Sequence, residues 1–227
     1  MSDIATRLEA VLERVRAAEA DYGRTPGSVR VLAVSKRHPP EAIRAAHAAG
    51  QHAFGENYLQ EGISKQDALA GLELEWHLIG GLQSNKTREA AERFDWVHTV
   101  DRSKLAHRLS EQRPAEMAPL NVCLQVNISE EPQKAGCLPA EAAELAAVVA
   151  GLPGLRLRGL MALPAPAETL AAQRVPLARL RALQARLRQA GHELDTLSMG
   201  MSADLEAAVA EGSSMVRIGT AIFGARD

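Results

Sequence analysis

The sequence is poor in aromatic side chains and nearly without cysteine. Phe, Trp and Tyr together make up 3% of 227 residues. A core must therefore be built from Ala, Leu, Val and Ile, and the stacking platform that single-stranded nucleic acid needs is missing. Cys123 and Cys137 are the two cysteines, too few for a disulfide framework, and nothing marks an oxidising compartment. An excess of one charge is missing too. The 26 Lys and Arg against 28 Asp and Glu leave a net charge of −2, which gives no global pull toward nucleic acid or anionic membrane. No apolar run approaches the roughly 18 residues of a membrane span. The opening MSDIATRLEAVLERV carries charges throughout, unlike the apolar stretch of a signal peptide. The seven histidines never fall beside Cys, Asp or Glu at zinc-finger or HExxH spacing, so no metal is expected. The expectation is a cytoplasmic protein without nucleic-acid or membrane partners.

What the chain does have is alternation. Ile4, Leu8, Val11, Leu12 and Val15 share one face of an opening helix that Gly23 and Pro26 end. Strand-type runs follow at Val29–Val34, His52–Phe54, Trp76–Ile79, Trp96–Val100, Asn121–Asn127, Leu155–Met161, Leu194–Ser198 and Met215–Ile218. Helical stretches near 40–49, 57–70, 84–92, 103–112, 139–150, 168–190 and 203–211 separate them. In the longest, Leu177, Leu180, Leu183 and Leu187 face inward while Arg179, Arg181, Arg186 and Arg188 face water. Eight strands, the first seven each followed by a helix, are the tally of a (β/α)8 TIM-type barrel with an extra N-terminal helix. A doubly wound open sheet is the alternative. No linker or break in composition divides residues 1–227, so one domain is expected.

In a barrel the reacting groups belong just past the C-terminal ends of the strands. Lys36 stands there after the first run. Only five of the 26 basic residues are lysine, and an unprotonated lysine amine can condense with an aldehyde, which arginine cannot. The plain alternative is a strand-end lysine in solvent. After runs seven and eight, where barrels often bind phosphate, Ser202 precedes a helix, Gly200 admits a close backbone amide, and Gly219-Thr220 offers a second amide and a hydroxyl. An ordinary cap and turn explain these equally, and Asp204 and Glu206 in the first turn would repel a phosphate. Arg217 is either surface charge, a structural ion pair, or a donor-only partner for a ring nitrogen. His77 reads as a packed histidine at the barrel mouth or as an acid–base group. Cys123 reads as a core thiol, Cys137 as a loop thiol, and Ser84 as a helix cap with Lys86 and Arg88 on the solvated face.

The segments LAVSK (32–36), FGENYLQE (54–61), WHLIGGLQSNK (76–86), LRGLMALP (156–164) and LSMGMSADLEAAVAEGSSMVRIGTAIFGAR (197–226) resemble the pyridoxal phosphate homeostasis, or YggS-like, family along essentially the whole chain. The resemblance implies a barrel similar to the N-terminal domain of alanine racemase, with pyridoxal phosphate as a Schiff base on Lys36. It also implies a phosphate cup of Ser202, Gly219 and Thr220 with Ser198 as a lesser member, Arg217 at the pyridine nitrogen, and Asn57 and Met161 as walls. Lys134 resembles a second reactive lysine used in cofactor exchange. Two departures stand out: Arg37-His38 after Lys36, where relatives often carry another lysine, and Gly80-Gly81, where a proline is common and a more flexible loop is expected here.

Two functions follow. One is a carrier that sequesters the reactive aldehyde and hands it on to recipient apoenzymes, as a monomer or weak dimer. The other is a pyridoxal phosphate-dependent amino acid racemase. Racemisation needs a base on each face of the substrate carbanion, and Lys36 supplies one. The opposing tyrosine of alanine racemase comes from a partner's additional domain that this sequence lacks. Only Tyr22 and Tyr58 are present. A sugar-phosphate hydrolase or isomerase lacks paired carboxylates at the strand ends. The expectation is the carrier, with no catalytic residues.

Overall fold

The computed structural model describes residues 3–225. A helix, α1 (Asp3–Asp21), leads into β1 (Arg30–Val34), α2 (Pro40–Ala48), β2 (Ala53–Glu56), α3 (Leu59–Ala68) and β3 (Glu75–Leu78). After a 3-10 turn at Ser84–Lys86 come α4 (Thr87–Arg93), β4 (Trp96–Val100), α5 (Ser103–Gln112), β5 (Leu120–Gln125) and α6 (Ala142–Ala150). The chain continues through β6 (Leu155–Met161), α7 (Leu170–Gln189), β7 (Thr196–Ser198), α8 (Leu205–Ala210), β8 (Met215–Ile218) and α9 (Thr220–Phe223). The strands pair in chain order, all parallel, and β8 returns to β1 with Val31 opposite Val216 and Leu32 opposite Arg217. The expected closed barrel is present.

The strand residues explain the closure. A parallel strand covered on one side by helices and on the other by the barrel interior is apolar along its length. In β1, Val31 and Ala33 join the core under the helices, while Leu32 and Val34 join a separate cluster with Ala53, Ile79 and Met215. Trp96, Cys123 and Met161 form another small cluster. The interior is not wholly apolar. His98 on β4 hydrogen-bonds Ser198 on β7, a contact that strands three places apart can make only across the barrel.

Helix α1 buries Leu8, Val11 and Val15 as its spacing requires and packs against α2, α8 and α9. Glu19, 1% exposed, accepts hydrogen bonds from the amides of Gly27 and Val29. Arg24 donates to the carbonyls of Val209 and Ser213. The first element is thus tied to the turns that flank α8.

Several boundaries differ from the sequence reading. β2 runs on to Glu56, whose buried carboxylate takes both Lys65 and Ser35 on Oε1 while Oε2 has no hydrogen-bond partner among the described residues. β5 stops at Gln125, since Val126 bridges Cys137 in the returning loop. Ser202 does not cap α8. That helix starts at Leu205 after Asp204, whose carboxylate accepts from the Met201 amide. Ser84 opens the 3-10 turn without a cap bond and accepts from Arg102 instead. Gly80 is not a loose hinge: it is buried against the Asn57 backbone, and its carbonyl accepts from Thr99.

Candidate functional site

Lys36 leaves β1 in a tight turn that the His38 amide closes onto the Ser35 carbonyl at 3.0 Å. Arg37 sits in this turn at φ 61°, a conformation that costs a residue with a Cβ. A buried charge cluster holds the turn in place. Lys65 Nζ donates to the Ser35 carbonyl, to Glu56 Oε1 and to Glu61 Oε1, each at 2.7 Å. Ser35 Oγ donates to Glu56 Oε1 at 2.6 Å, and the Arg37 amide donates to Glu61. Burial raises the Glu56 pKa against the opposing pull of Lys65 and Ser35. The sequence reading passed over both Glu56 and Lys65, which carry no sign of burial until α3 folds back on β2.

Lys36 opens onto a cleft of about 320 Å³ at the C-terminal end of the barrel, lined also by Asn57, Ile79, Leu163, Ser202, Arg217, Gly219 and Thr220. The amides of Ser202, Ala203 and Gly219 donate to no backbone carbonyl among the described residues, and Thr220 opens α9, where amides have no intrahelical partner. Four such amides at one end of one cleft can take an anion. Arg14 offsets the repulsion expected from Glu206 by gripping that carboxylate through two bonds of 2.6 and 2.7 Å, whereas the Asp204 carboxylate accepts from the Met201 amide.

Arg217, 5% exposed, lies at the cleft floor. Burial lowers its pKa to about 10, still cationic at neutral pH, with the Asp204 charge acting the other way. Nη1 donates to the Ser198 carbonyl and hydroxyl, and Nη2 to the Ala162 carbonyl at 2.9 Å. It is not surface charge, and it makes no direct ion pair among the described residues.

Six of the eight residues expected at the site therefore converge in the cleft: Lys36, Asn57, Ser202, Arg217, Gly219 and Thr220. Ser198 lies behind the lining, bonded to Arg217, and Met161 is fully buried in the small cluster with Trp96 and Cys123. Lys134 bonds Glu131 and the carbonyl of the cleft residue Leu163. His77 is packed as expected, but it faces Glu75 at the start of β3 and not the mouth. Tyr22 lies under Arg174, and Tyr58, 50% exposed, stands beside Arg37 outside the cleft lining. A larger cleft of about 600 Å³ opens at the opposite end around Arg156, Arg158, His192 and Asp195. It lies at the N-terminal ends of the strands, where barrels do not place their chemistry.

The barrel and this cleft define a class, and comparison with known proteins agrees. The family described as alanine racemase, N-terminal domain, matches residues 7–227. Alanine racemase from Corynebacterium glutamicum superposes with a TM-score of 0.73 over 96% of this chain and 62% of its own, at 19% identity, a likeness of fold alone. PipY of Synechococcus elongatus, solved with PLP bound, superposes at 0.84 over 98% of this chain and 100% of its own, with 40% identity. The Pyridoxal phosphate homeostasis protein of Pseudomonas aeruginosa is 59% identical over 100% of this chain and 97% of its own length. That of Escherichia coli K12 is 54% identical over 100% and 98%. The chain belongs to the pyridoxal phosphate homeostasis protein family.

Proposed function

We propose that this protein binds pyridoxal phosphate in the cleft at the C-terminal end of its barrel and serves intracellular cofactor homeostasis. In this reading residues 1–227 act as one binding domain in the cytoplasm, sequestering the aldehyde and handing it on to recipient apoenzymes. The observation that carries the reading is the meeting of three unlike groups in one cleft: the Lys36 amine, the amides of Ser202, Ala203, Gly219 and Thr220, and the Arg217 guanidinium. When bound, the cofactor supplies an aldehyde that forms a Schiff base with an amine, a phosphate dianion, and a ring able to stabilise a neighbouring carbanion.

The residues fit each part. Lys36 is the nucleophile. The four amides and the hydroxyls of Ser202 and Thr220 take the phosphate, where charge-assisted bonds are strongest. Arg217 meets the ring nitrogen as a donor that cannot protonate it, so the ring stays a weak electron sink. Asn57 forms part of the wall, and Ser198 acts through Arg217, to which it is bonded, while Met161 lies in the buried cluster with Trp96 and Cys123. Neither tyrosine lines the cleft among the described residues, so the opposing base of a racemase is not supplied by Tyr22 or Tyr58, and the reading is a carrier without enzymatic turnover. Among the described residues no helix is long and apolar enough to cross a membrane.

Borohydride reduction of the loaded protein followed by peptide mapping should place the pyridoxyl group on Lys36, and Lys36→Ala should abolish it. Pyridoxal without phosphate should bind far more weakly. Labelling only at Lys65, Lys86, Lys104 or Lys134 would contradict the assignment. A saturable, Lys36-dependent exchange of amino acid α-protons, orders of magnitude above free cofactor, would replace the carrier by a racemase.

A further inference from the structure

Arg217 is a buried cation with no carboxylate in contact among the described residues, and a chain of three side chains links it to one at the far end of the barrel. Arg217 Nη1 reaches Ser198 Oγ at 2.8 Å. Ser198 Oγ lies 2.9 Å from His98 Nδ1, His98 Nε2 lies 2.9 Å from His77 Nδ1, and His77 Nε2 lies 2.6 Å from Glu75 Oε1. The path joins β8, β7, β4 and β3 and crosses the interior. Glu75 also accepts from Arg30 at 2.8 Å.

The direction of every bond follows from its two ends. Burial alone would raise the Glu75 pKa, but the hydrogen bond from His77 and the Arg30 charge outweigh it and hold it at about 2, so the carboxylate is ionised. Both histidines are fully buried and neutral. Desolvation lowers the His77 pKa against the pull of Glu75, and lowers that of His98 further, with the charges of Arg217 and Arg30 adding to it and any proton on His77 opposing a second one on His98. A carboxylate only accepts, so His77 Nε2 carries the proton and its Nδ1 is bare. His98 Nε2 must then donate to that Nδ1, leaving its own Nδ1 to accept. Ser198 Oγ–H donates there, and its oxygen accepts from Arg217. Every donor points from the cation to the anion. Stacking of His77 on Trp96 at 5.2 Å fixes the ring planes.

We propose that His77, His98 and Ser198 are positioning residues that transmit the charge of Glu75 to Arg217 and so aim its remaining donors at the cofactor's ring nitrogen. The proposal rests on the pyridoxal phosphate reading above. Three of the five guanidinium N–H groups are spent on Ser198 and Ala162. The Nε–H and one Nη2–H are left to the cleft that Arg217 lines. Without the chain, the buried guanidinium would be tethered only by carbonyls and its neutralising charge would be lost. The other charged or titratable groups that bear on the chain are Asp95 toward His77, and Asp204 and Cys123 toward Arg217.

The direct test uses the protein labelled with 15N-histidine, free of cofactor, between about pH 5 and 8, where an ordinary histidine titrates. Near pH 8 His77 and His98 should both appear as neutral Nε2–H tautomers with bare Nδ1, and His98 should not titrate. Glu75→Gln, at the partly exposed end, should leave the fold intact but mix the tautomers. Loaded with pyridoxal phosphate, Ser198→Ala should bind it roughly threefold to tenfold more weakly, the worth of one hydrogen bond, and Ser198→Thr should restore it. The 15N signal of the bound ring nitrogen should gain a protonation step in Ser198→Ala that wild type lacks. A wild-type Nδ1–H tautomer or a titrating His98 would overturn the relay. So would variants with wild-type affinity and ring-nitrogen signal. A wild type that takes up no cofactor but keeps both tautomers would refute the proposed function and not the relay's direction.

Discussion

Replacing Lys65 by Met tests whether the buried cluster behind Lys36 is an interdependent unit. Lys65 and Glu56 have side chains 6% and 0% exposed, so the substitution strands a carboxylate where water cannot reach it. Breaking one half of a buried pair costs about 3–5 kcal/mol, whereas replacing both halves by neutral groups is often near neutral. For a chain of this length each kcal/mol moves Tm by roughly 2–4 °C, so Lys65→Met should melt roughly 6–20 °C lower. Lys65→Met with Glu56→Gln should recover at least half of that loss, because Ser35 still has its acceptor and no charge is stranded. The pH dependence has a definite sign. Glu56 has a raised folded pKa, so its contribution to stability is greatest below its ordinary value of 4.5 and is lost as pH rises through the folded value. Removing Lys65 raises that pKa further. The gap in Tm between wild type and Lys65→Met should therefore be smaller near pH 5 than near pH 8. Thermal melts of the three proteins at both pH values decide the matter. Additive losses in the double variant, or a gap that widens in acid, would refute the reasoning.

Two further outcomes follow from packing and burial. Gly80→Ala would put a Cβ 1.9 Å from the Asn57 carbonyl oxygen, which is backbone and cannot rotate away; it should destabilise the protein by at least about 1–3 kcal/mol and weaken cofactor binding by shifting Asn57, as a denaturant melt and a titration would show. Cys123 and Cys137 are buried, and burial pushes both thiols up to about 12; a thiol reagent should leave both untouched in the native protein and label both in denaturant, and rapid native labelling of either would contradict this.

The barrel was legible because eight strands buried on both faces leave apolar runs that no helix period imitates, and β4, β6 and β8 fall at the residues expected. Lys36 and Gly219, which meet in the cleft, were legible from their places at strand ends. What stayed hidden depends on partners distant in sequence. Glu56 falls two residues past the expected end of the second strand at Phe54, and nothing local shows that it buries with Lys65. The partnership of His77 with His98 and Ser198 has no local signal, because the 100-residue separation of His98 from Ser198 leaves no pattern in the sequence. Ser202 reads as a helix cap, since nothing in the sequence distinguishes it from Asp204, which precedes the helix two residues later. The four residues of α9 are too few to show a period.

The clasp of α1 on α8 and α9 has a consequence for synthesis. β1 carries Lys36 but pairs with β8, and the amides of Gly219 and Thr220 lie almost two hundred residues downstream in the same cleft. While the ribosome is still making the middle of the chain, β1 has an open edge and Lys36 has no anion cradle or Arg217 opposite it. Joining strands so far apart in sequence is entropically slow. The nascent chain must therefore emerge nearly whole before the cleft exists. On the proposed reading, an aldehyde then finds no preformed seat on unfinished chains, and only completed molecules would take up the load.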